Sequence, residues 1–141
     1  MNITIIPQLQ DNFCYHLEFE GCSLIVDCSE PAKVDDYMLK HGKTFTHVLT
    51  THKHADHSQG NPEMHKRGAK IVGGEHDNIS ACDIPVKDGQ VLEIGKVKIT
   101  CHHTPCHTKG HILYVCEVSD TQDNHKVTKT AQGYQTSTGI K

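Results

Sequence analysis

The sequence has no run approaching the ~18 consecutive apolar residues of a membrane-spanning helix. It has no Lys/Arg stripe of the kind that grips nucleic acid, and its 14 basic and 17 acidic residues leave a formal charge of only -3. No Cys-x-x-Cys pair is present, which removes the zinc-knuckle and thioredoxin-like spacings. The N-terminal Met1-Asn2-Ile3-Thr4-Ile5-Ile6 carries no basic n-region and no long apolar segment, so it reads as a first strand rather than a signal peptide. Nucleic acid and membrane partners are therefore not expected. A cytoplasmic protein is expected, with the mitochondrial matrix the alternative that lacks an Arg-rich leader in its favour. Apolar residues are also scarce, at 35% of 141 residues, so a core forms but is modest for the length. No internal repeat is visible, and the length suggests one domain.

Histidine and cysteine are abundant instead: the chain has 13 His and 7 Cys. The cysteines, Cys14, Cys22, Cys28, Cys82, Cys101, Cys106 and Cys116, are odd in number and follow no secretion signal. They read as reduced, mostly buried small hydrophobes rather than a disulfide framework. Apolar alternation and β-branched residues predict strands over 3–6, 13–19 and 22–27, with Glu20-Gly21 as a hairpin turn. Pro31 opens a helix with Val34, Tyr37, Met38 and His41 at helical spacing, and Gly42 closes it. A strand over 46–50 runs into a His-rich segment. Next come a short helix over 61–68 with Asn61 as its cap and a strand over 70–72 broken by Gly73-Gly74. A hairpin around Gly95 (90–94 with 96–101) and a strand over 112–118 follow. From residue 120 to 141 the composition turns to Thr, Gln, Lys, Gly and Ser, and a mobile polar tail is expected there. The class is α/β (α+β), sheets covered by helices, with one domain over 1–119 and the tail over 120–141.

The strongest chemical signal is Thr51-His52-Lys53-His54-Ala55-Asp56-His57. It follows a predicted strand, so His52 and His54 lie on extended chain and point to one side, where two imidazoles can meet one metal ion. The chain then turns toward a helix, placing Asp56 and His57 at a neighbouring ion. Imidazole and carboxylate suit zinc, and also iron or manganese. The bland alternative is a solvated His-rich loop; the position directly after a strand ending in Thr50-Thr51 weighs against it. A second segment, His102-His103-Thr104-Pro105-Cys106-His107-Thr108-Lys109-Gly110-His111, lies in a predicted inter-strand loop from which a histidine can reach the first cluster. With Cys101 it also permits a separate structural zinc site, although the spacing matches no closed Cys/His pattern.

These residues carry a resemblance. Thr51 to His57 resembles the signature of the metallo-β-lactamase superfamily. Thr104-Pro105-Cys106-His107-Thr108-Lys109-Gly110-His111 resembles the next metal motif of its glyoxalase II (hydroxyacylglutathione hydrolase) branch. Asp11-Asn12-Phe13-Cys14-Tyr15, Ile25-Val26-Asp27, Gly60-Asn61 and Val72-Gly73-Gly74 are similar to further segments of that branch. The likeness runs from about residue 3 to residue 118 and covers the N-terminal half of such an enzyme. It implies an αββα sandwich truncated to about its first half.

The resemblance also implies roles. His52, His54 and His107 would hold a first metal. Asp56 and His57 would hold a second, with Asp56 also orienting the nucleophile. Asp27 would orient the loop, and His111 would support it. His102 and His103 receive no role and are expected at the surface. The implied cofactor is zinc, binuclear in the family, with iron or manganese as alternatives. The implied reaction is hydrolysis of S-2-hydroxyacylglutathione, with S-D-lactoylglutathione the usual substrate, in methylglyoxal detoxification. Family members add a bridging Asp in a Gly-Asp-Thr strand end, a later His and glutathione-holding residues. Asp120, Asp123 and His125 match none of these motifs and receive no role. The first metal site is therefore expected to survive at reduced affinity, the second to be weak, and an uncovered sheet face to favour self-association. Two other readings remain: a non-catalytic metal-binding or interaction module, and a persulfide dioxygenase-like relative. The Thr104 to His111 motif argues against the latter.

Overall fold

Two kinds of strand set the architecture, those buried on one face and those buried on both. The structure, a computed structural model, describes residues 1–118 and the backbone of 125–130 and 133–138. Strands β1 (Asn2–Gln8), β2 (Asn12–Phe19) and β3 (Cys22–Val26) form an antiparallel meander, with Ile6 opposite Cys14 and Leu17 opposite Leu24. Strands β4 (His47–Leu49), β5 (Lys70–Gly74) and β6 (Ile84–Val86) then add in parallel, giving one sheet in the order β1-β2-β3-β4-β5-β6. Helix α1 (Pro31–His41) connects β3 to β4, while α2 (Ala55–Ser58) and α3 (Asn61–Lys66) lie between β4 and β5. A second, antiparallel sheet contains β7 (Val91–Ile94), β8 (Val97–His103) and β9 (Ile112–Val118).

Successive residues in a strand face opposite ways, and the packing follows that alternation. Leu24, Leu49 and Val72 join Val97, Ile99, Cys101, Ile112, Tyr114 and Cys116 in a core between the two sheets. Their neighbours Ile25, Val48 and Ile71 turn the other way and pack with Val34 and Met38 of α1 and Met64 of α3. Strands β3 to β5 are thus buried on both faces, which explains why they read as continuous apolar runs. Fully buried side chains such as Leu24, Leu49 and Ile99 each contribute roughly 1.5–3 kcal/mol by leaving water. The described layers are helices, six-stranded sheet and three-stranded sheet, as an αββα sandwich places its first three.

Most expected elements appear near their expected positions. The turn at Glu20-Gly21 uses a left-handed glycine (φ 74°), and Gly42 caps α1 at φ 59° with its N–H donating to Leu39 O. Three expectations change. Gly73 and Gly74 do not break β5; they pair with Pro85 and Val86 of β6. They are glycine because Ile79 presses on one and the Gly110 carbonyl on the other, leaving no room for a Cβ. Asn61 is the first residue of α3 and Gly60 its cap; the Asn61 side chain is buried and donates to Thr50 Oγ1 at 3.0 Å. His102 and His103 lie in β8, paired with Leu113 and Ile112, because the strand runs further than its apolar alternation suggests. Within the expected tail, β10 (His125–Thr130) and β11 (Gly133–Thr138) pair antiparallel. The rest of 119–141 lies outside the described residues, and mobility there with it.

Candidate metal centre

The C-terminal ends of the parallel strands converge, and there the chain leaves the sheet with ligand-type side chains. β3 leads to Asp27, β4 runs into Thr50-Thr51-His52, and β5 leads to Asp77. This is where open α/β sheets place their ligands. The loop carrying His107 comes from the second sheet. It is stitched to the first by Ile112 N donating to Thr51 O at 2.9 Å and by Tyr114 Oη donating to Thr50 O at 2.8 Å.

His52, His54 and His107 each offer one ring nitrogen, and these atoms lie within 4.8 Å of one another. No other group of three His, Cys, Asp or Glu does so among the described residues. The His52 ring sits 4.9 Å from that of His54 and 4.8 Å from that of His107, nearly edge-on to both. His54 Nδ1 faces His107 Nε2 at 3.1 Å. Ligand nitrogens on one tetrahedral ion with bonds of ~2.0 Å would be ~3.3 Å apart. His52 and His54, two apart in sequence, bring their rings to the same cluster, and Ser58 Oγ fixes the turn by donating to Lys53 O and His54 O at 2.7 and 3.0 Å.

The hydrogen bonds determine which nitrogen of His52 is free. Thr51 Oγ1 can only donate to the Asp27 carboxylate, at 2.8 Å, so toward His52 Nδ1, at 2.9 Å, it must accept. The proton of neutral His52 is therefore on Nδ1, and Nε2 presents a lone pair. That Nε2 is buried and has no hydrogen-bond partner. A buried polar atom left unpaired in this way is costly, and a metal ion would satisfy it. Burial, aided by nearby His57, pushes the His52 pKa down to about 4, so the ring is neutral and ligand-competent at neutral pH. The donor set fits a metal.

Asp56 and His57 sit on α2 beside this trio, the His57 ring 4.3 Å from that of His52. Asp56 Oδ2 and both ring nitrogens of His57 already have polar neighbours. Asn12 Nδ2 donates to Asp56 Oδ2 at 2.8 Å, and this contact leads in holding the carboxyl below its ordinary pKa. His57 Nδ1 donates to Asp27 Oδ2 at 3.0 Å, which raises the imidazole pKa, and His57 Nε2 lies 3.3 Å from Asp56 Oδ2. Asp27 is thus the organiser expected of it: its other oxygen accepts from Thr51 N at 2.8 Å, and its backbone is left-handed at φ 52°. Asparagine and aspartate tolerate that region better than most residues.

Other expected residues fall outside the cluster. His111 supports its loop by contacting Thr104 Oγ1 at 2.8 Å, and burial lowers its pKa. Cys101 is a core residue whose thiol burial raises to about 11, while Cys106 is exposed, so no Cys/His zinc site forms from that segment. None of the cysteines is in a disulfide, and five are buried. Sequence reasoning missed Asp77, a buried carboxylate between the two loops. Its one visible signal is an acid just after the end of a parallel strand.

A helix-backed double-sheet sandwich with a histidine cluster at the strand ends is a fold able to hold a metal ion there. The chain belongs to the metallo-beta-lactamase superfamily, whose family model matches residues 9–82. It is similar to the cytoplasmic hydroxyacylglutathione hydrolase of Arabidopsis thaliana, 40% identical over 119 residues, covering 81% of this chain and 46% of the relative. It is also similar to a human hydroxyacylglutathione hydrolase-like protein, 33% identical over 126 residues, covering 87% of this chain and 43% of the relative. The chain therefore spans about half the length of the curated relatives it matches. In fold it resembles BJP-1, a subclass B3 metallo-beta-lactamase of Bradyrhizobium japonicum. That match has a TM-score of 0.71 at 23% identity, covering 84% of this chain and 55% of that one. No helix among the described residues is long and apolar enough to cross a membrane.

Proposed function

We propose that this chain is the metal-binding part of a hydroxyacylglutathione hydrolase. It acts on S-2-hydroxyacylglutathione thioesters such as S-D-lactoylglutathione, releasing glutathione and the 2-hydroxy acid, and so serves methylglyoxal detoxification. The observation that carries the reading is the convergence of His54 and His107 on His52, whose buried Nε2 is unpaired. The printed names of the Arabidopsis and human relatives support the substrate class, and the former supports a cytoplasmic location.

His52 Nε2, His54 Nδ1 and His107 Nε2 would hold one zinc ion, a metal that takes imidazole donors readily. Asp56 and His57 would contribute to a second, weaker site. Bound there, zinc (or iron or manganese) supplies Lewis acidity, bringing water ionisation toward neutral pH and withdrawing charge from the thioester carbonyl. The residues around it do the rest. Thr51 and Asp27 lock the tautomer and orientation of His52 through the bonds already described. Asp27 does the same for His57. The Asp56 carboxylate, kept ionised by Asn12, accepts a hydrogen bond from the attacking water and aims it at the carbonyl. Glutathione leaves as a thiolate, a stable leaving group that needs no strong general acid.

The test is hydrolysis of S-D-lactoylglutathione by the purified chain with chelator and with added zinc. Turnover that vanishes with chelator and returns with zinc is expected. Folded, zinc-loaded protein that leaves the thioester intact would contradict the reading and favour a non-catalytic metal-binding module.

A further inference from the structure

The two loops that bring the histidines together come from different sheets, and one carboxylate joins them. Asp77 is 1% exposed. Its Oδ2 accepts from Lys53 N at 2.7 Å and from Thr108 Oγ1 at 2.9 Å, and its Oδ1 accepts from Gly110 N at 3.1 Å. Lys53 lies between His52 and His54, and Thr108 follows His107. All three donors thus belong to the metal-bearing loops and none to Asp77's own turn, which is closed separately by Asp77 N donating to Gly74 O. The fit is tight: a Cβ on Gly110 would collide with the backbone and Cβ of Asp77, and one on Gly74 would collide with the Gly110 carbonyl. Glycine at both positions lets three segments meet at the carboxylate.

We propose that Asp77 is a positioning residue that fixes the separation of the His52/His54 loop from the His107 loop and so sets the affinity of the three-histidine metal site. The inference rests on the metal reading above and deepens it. Asp77 touches no candidate ligand nitrogen; it acts by holding the backbone on either side. Ionised aspartate can accept from all three donors, whereas asparagine cannot. In Asp77→Asn the amide must turn its own N–H groups toward at least one of these buried donors, and the two loops lose their common anchor. Substitutions among the outer partners of metal ligands typically cost about 10- to 100-fold in metal affinity, and that range is expected here.

The experiment is zinc titration of the metal-stripped full chain by competition with a chromophoric chelator. The visible absorption spectrum of the cobalt(II)-substituted protein serves as a second readout of ligand geometry. Asp77→Asn is expected to bind zinc about 10- to 100-fold more weakly and to shift the cobalt bands. Thr108→Val, which removes one of the three donors, should show a smaller loss, and Thr108→Ser should restore binding. Ile99→Val, a methylene deletion in the middle of β8, should leave zinc affinity and the cobalt spectrum as in wild type. Asp77→Asn with wild-type affinity and spectrum would overturn the proposal, as would an equal loss in Ile99→Val. If Asp77→Asn does not fold, the Thr108 pair decides alone: equal affinities for valine and serine would overturn it. Wild-type protein without tight zinc would instead bring down the metal reading and this inference with it.

Discussion

The trio His52, His54 and His107 and the pair Asp56 and His57 occupy neighbouring segments, yet their lone pairs face different surroundings. In the trio, His52 Nε2 is buried with nothing to bond, and two further ring nitrogens face each other at 3.1 Å. In the pair, Asp56 Oδ2 accepts from Asn12 and lies beside His57 Nε2, and His57 Nδ1 is bonded to Asp27. An ion entering the first site removes an unsatisfied atom. An ion entering the second must compete with the Asn12 amide for Asp56 Oδ2. The first site is preorganised and the second is not, so binding there should be the weaker.

The largest effect should come from deleting a ligand of the first site. His107→Ala should lower zinc affinity by more than the roughly 100-fold that outer partners reach, with the second site unable to compensate; titration of the variant checks this. Asp27→Asn should come next, because it strands donors at Thr51 and His57 together. A loss of about 2–3 kcal/mol in unfolding free energy is expected, measured by urea denaturation. It should also return the His57 pKa toward its ordinary value, visible in the ring proton shifts.

Metal-free protein should also lose stability as pH falls from about 6.5 toward 4. Burial lowers the folded pKa of His16, His47, His52 and His111. In that window the unfolded chain therefore binds more protons than the folded one, and acid favours unfolding. His57 opposes this. Its folded pKa is raised, so its contribution is complete below the unfolded value and fades as pH rises through the folded one. Four histidines outweigh one, so the urea midpoint should drop on the acid side; a midpoint that rises there would contradict the assigned environments. The smallest effect belongs to Asn12→Ala. Freeing Asp56 should change the second ion's affinity by less than about tenfold and leave the first unchanged.

Much of this arrangement was legible in the sequence, for physical reasons. Strands buried on both faces are apolar throughout, so β3 to β5 stood out, and the helix with Pro31 at its start and Gly42 at its end carried its own punctuation. The ligand run also announced itself, because ligands two apart on extended chain need no tertiary information to share a side. Strand β6 was missed because it is three residues long and contains Pro85, which normally argues against a strand. Gly73 and Gly74 looked like a break because their reason for being glycine is the approach of Ile79 and Gly110, far along the chain. Asp77 was invisible for the same cause. Its partners Lys53 and Gly110 lie 24 residues before it and 33 after it, and a side chain accepting from distant backbone leaves no periodic trace.

Stepwise zinc titration of the metal-stripped chain, with the bound stoichiometry read at each addition, puts the contrast between the two sites to the decisive trial. One tightly held ion per chain, lost in His107→Ala, with any second ion bound at least about tenfold more weakly, is the predicted result. Two ions of equal affinity, or none, would contradict it.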